Sequence, residues 1–78
     1  MATLKVYNGG GGYLVLEMPG ATSIRYAAKR VAEAIGLDPN AGDFELVHGY
    51  SNQPIPQKDI VAQYDGHEVG LLLRGRLS

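Results

Sequence analysis

The order of its short segments constrains the fold of this chain more than any single residue does. Two runs of alternating apolar and polar residues, Thr3 to Tyr7 and Tyr13 to Met18, flank a turn with four consecutive glycines. One helical stretch and two apolar runs follow, the last being Val69 to Leu73. Alternation with period two is typical of strands that bury one face. The order therefore predicts two hairpin strands, one helix and closing strands around a single core.

Size and composition limit what such a chain can do. The sequence has 78 residues, no cysteine and a formal net charge of −1. A domain this short buries only about 60 to 65% of its unfolded surface, and we expect one domain of modest stability. The absence of cysteine excludes disulfides and thiolate metal sites. The charge balance disfavours nucleic acid as a partner. No apolar run approaches the roughly 20 residues that cross a bilayer, so we expect a cytoplasmic protein without membrane insertion.

The first half of the chain predicts a hairpin followed by a helix. Consecutive glycines permit positive φ, so we expect residues Asn8 to Gly12 to form a mobile loop rather than a two-residue turn. Thr22 or Ser23 can serve as the N-cap of the helix, and Gly36 supplies its stop. The spacing of the apolar residues predicts one stripe along the helix. The stripe consists of Ile24, Ala27, Ala28, Val31 and Ile35.

The second half predicts two more strands and an irregular connection. Prolines at positions 54 and 56 interrupt the segment between Tyr50 and Gly66, which excludes a long helix there. The apolar final run is suited to the middle of a sheet. We predict a third strand from Phe44 to Gly49, a short strand near Ile55, one helical turn at Asp59 to Gln63, and a final strand from Glu68 to Arg74.

This order of elements resembles the ubiquitin-like β-grasp family, and in particular its small prokaryotic-type members. The resemblance covers nearly the whole chain. It depends on Glu17 to Pro19 leading into Thr22 and Ile24, Ile35 to Leu37, Leu46 to Gly49, and Leu71 to Gly75. It implies an α+β fold with a mixed sheet of four or five strands on one helix, and a single domain of residues 1–78 with a tail at 74–78. None of these segments is a catalytic signature.

The chain departs from the family at its C-terminal end. Ubiquitin-type modifiers are joined to targets through a terminal glycine pair, whereas this sequence continues from Arg74 through Gly75 to Ser78. Conjugation of the chain as written is not expected. Removal of the last three residues by a peptidase would expose Gly75, which an E1-type enzyme could then activate. The same departure makes a sulfur carrier, which needs a terminal glycine, the weakest alternative.

Other motifs have simpler structural explanations. The glycine run could suggest a phosphate loop, but it joins two strands and has no following Lys-Ser/Thr. His67, with Asp65 and Glu68 beside it, could suggest a metal ligand or a general base. With His48 the only other histidine, the three or four converging ligands of a metal site are not visible. The five tyrosines fit strand edges better than stacking platforms for nucleic acid. We therefore predict no catalytic, cofactor or metal site and no enzymatic activity.

Strand alternation instead suggests a binding surface on the sheet. If Phe44, Leu46, Val69, Leu71 and Leu73 face the helix, then Val47, Gly70 and Leu72 face outward, with Arg74 beside them. We expect an exposed apolar patch that binds proteins, positioned as in ubiquitin-like domains. Partners would be E1-type or peptidase enzymes if the chain is a processed modifier. They would be larger subunits of a secretion or oxygenase complex if it is an accessory subunit.

Overall fold

The computed structural model describes residues 1–7, 12–49, 51 and 53–76, the last three by their backbone. Most of the loop predicted to be mobile, residues 8–11, lies outside this part. The described elements are β1 (Ala2–Tyr7), β2 (Tyr13–Met18), α1 (Ile24–Ala34), β3 (Gly42–His48), a short 3₁₀ helix (Val61–Tyr64) and β4 (Glu68–Arg76). The predicted strand near Ile55 is reduced to a single bridge between Pro54 and Val47.

Both ends of α1 follow from local sequence chemistry. Ser23 is the N-cap, and its Oγ accepts a hydrogen bond from the Tyr26 backbone N–H at 3.2 Å. Gly36 has φ of +88°, a left-handed conformation that costs glycine little because it has no Cβ. The N–H of Leu37 donates to the Ala32 carbonyl at 2.9 Å and closes the helix end. The predicted stop at Gly36 is confirmed.

The four strands form one mixed sheet in the order β2, β1, β4, β3. Strand β1 pairs antiparallel with β2 and parallel with β4, and β4 pairs antiparallel with β3. A parallel pair needs a long crossover, and here the chain from β2 through α1 and β3 to the final connection lies between β1 and β4. This arrangement confirms the predicted mixed sheet on one helix.

The core lies between α1 and one face of the sheet. Every strand contributes to it, and so does the long connection before β4. The largest fully buried side chains are those of Leu4, Val6, Ile24, Val31, Leu46, Ile55, Val61 and Val69. The burial of Ile55 and Val61 explains why the connection holds a defined course although it has little regular structure.

Two backbone hydrogen bonds and one bond from backbone to side chain attach this connection to three parts of the fold. The Ile55 N–H donates to the Leu46 carbonyl at 2.9 Å, which attaches it to β3. The Val61 N–H donates to the Thr22 carbonyl at 2.9 Å, beside the start of α1. The Thr3 N–H donates to Asp65 Oδ1 at 2.7 Å, which attaches it to β1. The connection thus covers the free edge of β3 and one end of the core.

Candidate interaction surface

The two faces of the sheet differ because α1 lies on only one of them. Leu4, Val6 and Leu46 are fully buried on the α1 side. Their neighbours along each strand point to the opposite side, which we call the outer face. The outer face consists of Thr3, Lys5, Tyr7, Tyr13, Val15, Glu17, Glu45, Val47, Glu68, Gly70 and Leu72.

The prediction that Val47 is exposed is wrong. Its side chain is only 5% exposed, although it does not belong to the core cluster beneath α1. Val47 pairs with Gly70 of β4 on one side and forms a bridge with Pro54 on the other. Alternation therefore assigned Val47 to the correct face, but neighbouring chain on both sides encloses it. No periodic pattern or motif in the sequence identifies the Pro54 segment as this neighbour.

Gly70 and Leu72 behave differently from Val47. Leu72 is 42% exposed, as predicted, and Gly70 is half-buried. A Cβ on Gly70 would lie 3.2 Å from Val47 Cγ2, so the missing side chain leaves room for the valine. Gly70 thus helps to bury Val47, and Leu72 remains the exposed apolar residue of the predicted patch. A partner-binding role of these residues stays a prediction.

The end of β4 is longer than predicted. The strand was expected to end at Arg74 but continues to Arg76. Gly75 pairs with Asp43 of β3, and Arg76 pairs with Gly42. The backbone at the predicted conjugation site is therefore part of the sheet. The side chain of Arg74 lies outside the described part of the chain, so its predicted contact with partners stays a prediction.

A second exposed group on the outer face was missed by the sequence analysis. Tyr7 and Tyr13 are direct partners across β1 and β2, with ring centroids 5.8 Å apart. Both rings are about half exposed, and Val15 next to them on β2 is 55% exposed. The available signal was the position of the two tyrosines, one at each end of the glycine loop. Tyrosine interpreted only as an edge residue does not reveal that the two rings meet.

Apolar side chains are also accessible where α1 ends. Leu71 packs against the core, as alternation predicts, but Leu73 is 38% exposed. The reason is that α1 stops at Ala34 and does not reach as far as this end of β4. Leu73 and Phe44 line an open groove whose other wall includes Leu37. The groove lies on the α1 side and is separate from the outer face.

Three aromatic side chains meet at the other end of the molecule. The Tyr64 ring lies 5.9 Å from the His48 ring and 5.7 Å from the His67 ring. Its hydroxyl donates to Asp59 Oδ2 at 2.5 Å. This hydrogen bond, with burial and the charge of Asp59, raises the pKa of Tyr64. The contacts tie the 3₁₀ helix to the connection before it and have a structural role.

Alternative sites receive no support from the described residues. Asp65, which the sequence suggested beside His67, is engaged by the Thr3 N–H as described above. In residues 1–7, 12–49, 51 and 53–76, no group of three or more histidine or acidic side chains could hold a metal ion. No helix in these ranges is long and apolar enough to span a membrane.

Comparisons with solved structures agree with this architecture. The chain superposes on the N-terminal ubiquitin-like domain of the 4931431F19Rik protein with a TM-score of 0.68 and 14% identity, covering 99% of this chain and 78% of that one. It matches a designed protein based on human erythrocytic ubiquitin with a TM-score of 0.63 and 20% identity, covering 100% and 98%. It also matches ATBAG1, solved in complex with HSP70, with a TM-score of 0.66 and 14% identity, covering 94% of this chain and 40% of that one.

These structural matches establish the fold. The chain has the ubiquitin-like β-grasp fold, with a mixed sheet on one helix, as the sequence predicted. No protein-family model and no curated protein matches the sequence. Because a fold carries many functions, the identity of a partner has to be argued from the surface itself.

Proposed function

We propose that this chain is a non-catalytic domain that binds partner proteins through the outer face of its sheet. The contact centres on Leu72, with Gly70 beside it and Arg74 further along the strand. The observation that carries the proposal is the exposure of Leu72 on a sheet face that α1 leaves uncovered. Val47 was expected to contact the partner directly. It is buried instead and packs beside Gly70 of β4.

The chemistry of the surface suits recognition of a protein. Leu72 lies opposite Glu45, and Lys5 lies opposite Glu68 on the same face. An apolar centre with a charged rim is the usual anatomy of a protein interface. A partner would place an apolar or aromatic side chain against Leu72 and exclude water from it. Because Gly70 has no side chain, the backbone of a partner could come close to the sheet at this position.

The comparisons support the class of partner and not its identity. ATBAG1, with which the chain shares a fold, was solved in complex with HSP70. Because this chain spans only 40% of ATBAG1, that complex supports protein partners in general. An accessory subunit docked on a larger secretion or oxygenase subunit fits the proposal, as does a cytoplasmic location. The prokaryotic-type origin stays part of the same proposal.

The alternative is a modifier conjugated through Gly75 after a peptidase removes the last three residues. In that case E1-type and peptidase enzymes would be the first partners. The pairing of Gly75 with Asp43 argues against it, because Gly75 would have to leave β3 to enter the narrow channel of an activating enzyme. Intact-mass spectrometry of the protein from its own cells distinguishes the two functions. A chain ending at Gly75, with attachments that survive denaturation, would favour the modifier.

The binding proposal can be tested with two matched variants. Leu72→Asp puts a charge at the centre of the surface, and Ile60→Asp puts one at an aliphatic residue of similar exposure, 39% against 42%, in the connection. Partners recovered quantitatively from cell extract should be lost with Leu72→Asp and retained with Ile60→Asp. Thermal unfolding of both variants verifies that they remain folded. Equal recovery with wild type and a folded Leu72→Asp variant would refute the proposal.

A further inference from the structure

The two edges of the sheet are protected to different degrees. On the β3 edge, the His48 N–H donates to the Gln53 carbonyl and the Ile55 N–H donates to the Leu46 carbonyl, both at 2.9 Å. A returning segment of the chain therefore covers that edge. On the opposite side, β2 is the last strand, and within residues 1–7, 12–49, 51 and 53–76 only β1 lies beside it. Half of its backbone N–H and C=O groups face away from the sheet.

Strand β2 also lacks the features that usually prevent edges from associating. It has six residues without proline, lysine or a bulge, and its pairing with β1 is regular from Tyr13 to Met18. Glu17 is its only charged residue. Charges, prolines and bulges are the means by which natural sheets keep edges apart. An edge with one carboxylate is open to another strand.

Apolar side chains lie on both faces of β2, with Glu17 as the one charged exception on the outer face, which is unusual for an edge. On the outer face, Tyr13 and Val15 are more than half exposed. On the α1 side, Leu14 and Leu16 are only half-buried, because each borders an open depression beside Ala34 of α1. A strand that is apolar on both faces is typical of the interior of a sheet. A strand added beside β2 would reduce the exposure of Tyr13 and Val15 on the outer face. It would also reduce the exposure of Leu14 and Leu16 on the α1 side.

We propose that a second copy of this chain pairs with β2, antiparallel, about a twofold axis perpendicular to the sheet at Val15. Val15 then lies opposite the partner's Val15, and Leu14 lies opposite the partner's Leu16. The two four-stranded sheets join into one sheet with eight strands. Strand addition of this kind draws its affinity from main-chain hydrogen bonds and its register from the side chains.

Charge and backbone chemistry select the second copy and this register. Glu17 faces the partner's Tyr13, whose hydroxyl can donate to the carboxylate. The two Glu17 side chains are separated by four residue positions, about 13 Å, so like charges do not meet. A register centred on Leu16 would place Pro19, which has no N–H, opposite the partner's Tyr13. The strand is thus complementary to itself at one position.

Measurement of mass against concentration tests this proposal. The wild-type chain should have twice its single-chain mass of 8.3 kDa at high concentration and dissociate on dilution. Val15→Lys and Val15→Glu each place like charges across the axis and should raise the dissociation constant at least about tenfold. A 1:1 mixture of the two variants should restore association, because opposite charges then meet. Tyr26→Lys, on the exposed side of α1 at 56% exposure, is the matched control and should dimerise like wild type.

A cysteine variant provides a second, independent readout. Because the chain has no cysteine, Val15→Cys would introduce a single thiol directly opposite its copy. Opposed residues of antiparallel strands lie about 4.5 to 5.5 Å apart at Cα, within the range that a disulfide spans. Mild oxidation should crosslink Val15→Cys and leave Tyr26→Cys uncrosslinked. A wild-type chain that is monomeric up to about 1 mM, or a dimer that neither Val15→Lys weakens nor Val15→Cys crosslinks, would overturn the proposal. Neither outcome depends on Leu72, so this test and that of the binding surface fail separately.

Discussion

Val47 and Val15 are valines on the same face of one sheet, yet 5% of the first and 55% of the second is exposed. Val47 has β4 on one side and the Pro54 bridge on the other, whereas β1 is the single neighbour of Val15 in the part of the chain that the structure describes. The difference lies in the lateral neighbours, since both valines obey the same alternation. A surface on this sheet is therefore defined by what runs along each edge as much as by which residues point outward.

The largest expected effect on the free energy of unfolding comes from making the same substitution at both valines. Val47→Asp should lower the free energy of unfolding by about 3 kcal/mol, because a carboxylate would be buried without a partner. Val15→Asp should lower it by less than about 1 kcal/mol, since its carboxylate stays in water. Urea denaturation measures both values, at a protein concentration at least about ten times below any dissociation constant found for the wild-type chain. We call β4 and β3 the covered half of the sheet, and β1 and β2 the open half. Equal losses would mean that the two halves do not differ in how their edges are covered.

Two glycines on the covered half provide a second test. A Cβ on Gly49 would lie 3.1 Å from the carbonyl oxygen of Glu68, which is backbone and cannot move alone. A Cβ on Gly70 would meet only the side chain of Val47. Gly49→Ala should therefore lower the free energy of unfolding by about 2 kcal/mol, and Gly70→Ala by less than about 1 kcal/mol. Chemical denaturation of both variants ranks them, and a reversed ranking would contradict the proposed close approach.

A double-mutant cycle joins Gly70 to Val47 directly. If the two groups compete for the same space, the combination of Gly70→Ala with Val47→Ala should cost less than the sum of the single changes. The control is Gly70→Ala with Val15→Ala, which should be additive because Val15 lies on β2 and Gly70 on β4. Additivity in both pairs would show that Gly70 does not make room for Val47.

The open half should show a smaller coupling of its own. Tyr7 and Tyr13 are opposed across β1 and β2, and their rings meet at 5.8 Å. A cycle of the two tyrosine-to-alanine substitutions should give a coupling energy of about 0.5 to 1 kcal/mol. Tyr7→Ala with Tyr26→Ala, on α1, serves as the uncoupled control. A coupling near zero in both cycles would mean that the exposed rings do not stabilise each other.

The smallest expected effect is a pH dependence at the end of the covered half. The raised pKa of Tyr64 means that the folded state holds the phenol proton more tightly than the unfolded state, whose value is near 10.0. The hydrogen bond to Asp59 is intact below pH 10 and is lost as the pH rises through the folded-state pKa. Wild type should therefore lose stability above pH 10 more steeply than Tyr64→Phe. Denaturation series from pH 8 to 11 compare the two, and parallel curves would contradict the prediction.

Most elements were predictable because their signals are local. The stop at Gly36 follows from backbone conformation, and the strand pattern from Tyr13 to Met18 follows from alternation. The end of β4 was predicted two residues too early, because strand length depends on a partner, and Gly42 and Asp43 of β3 supply it. The sequence analysis left Thr22 and Ser23 open as the N-cap, because both side chains have a hydroxyl that can accept the hydrogen bond. The structure uses Ser23.

The predicted site was only partly correct for the same reason. Leu72 is exposed as expected, while Val47 is buried by the Pro54 segment that no periodic pattern identifies. The contact between Tyr7 and Tyr13 needed the register of the hairpin, which a run of glycines in the sequence does not specify. Partner binding by Leu72, Gly70 and Arg74 remains a proposal for the experiments above.

By itself the sequence determined the class of fold, the course of α1 and the face to which each strand residue points. These properties depend on periodicity, capping and glycine conformation, which act over a few neighbouring residues. Only the tertiary structure decided that Val47 is enclosed, that Val15 lies on an open edge and that β4 extends to Arg76. These outcomes depend on segments distant in sequence lying side by side, and burial and strand pairing are energies of such contacts rather than of any local pattern.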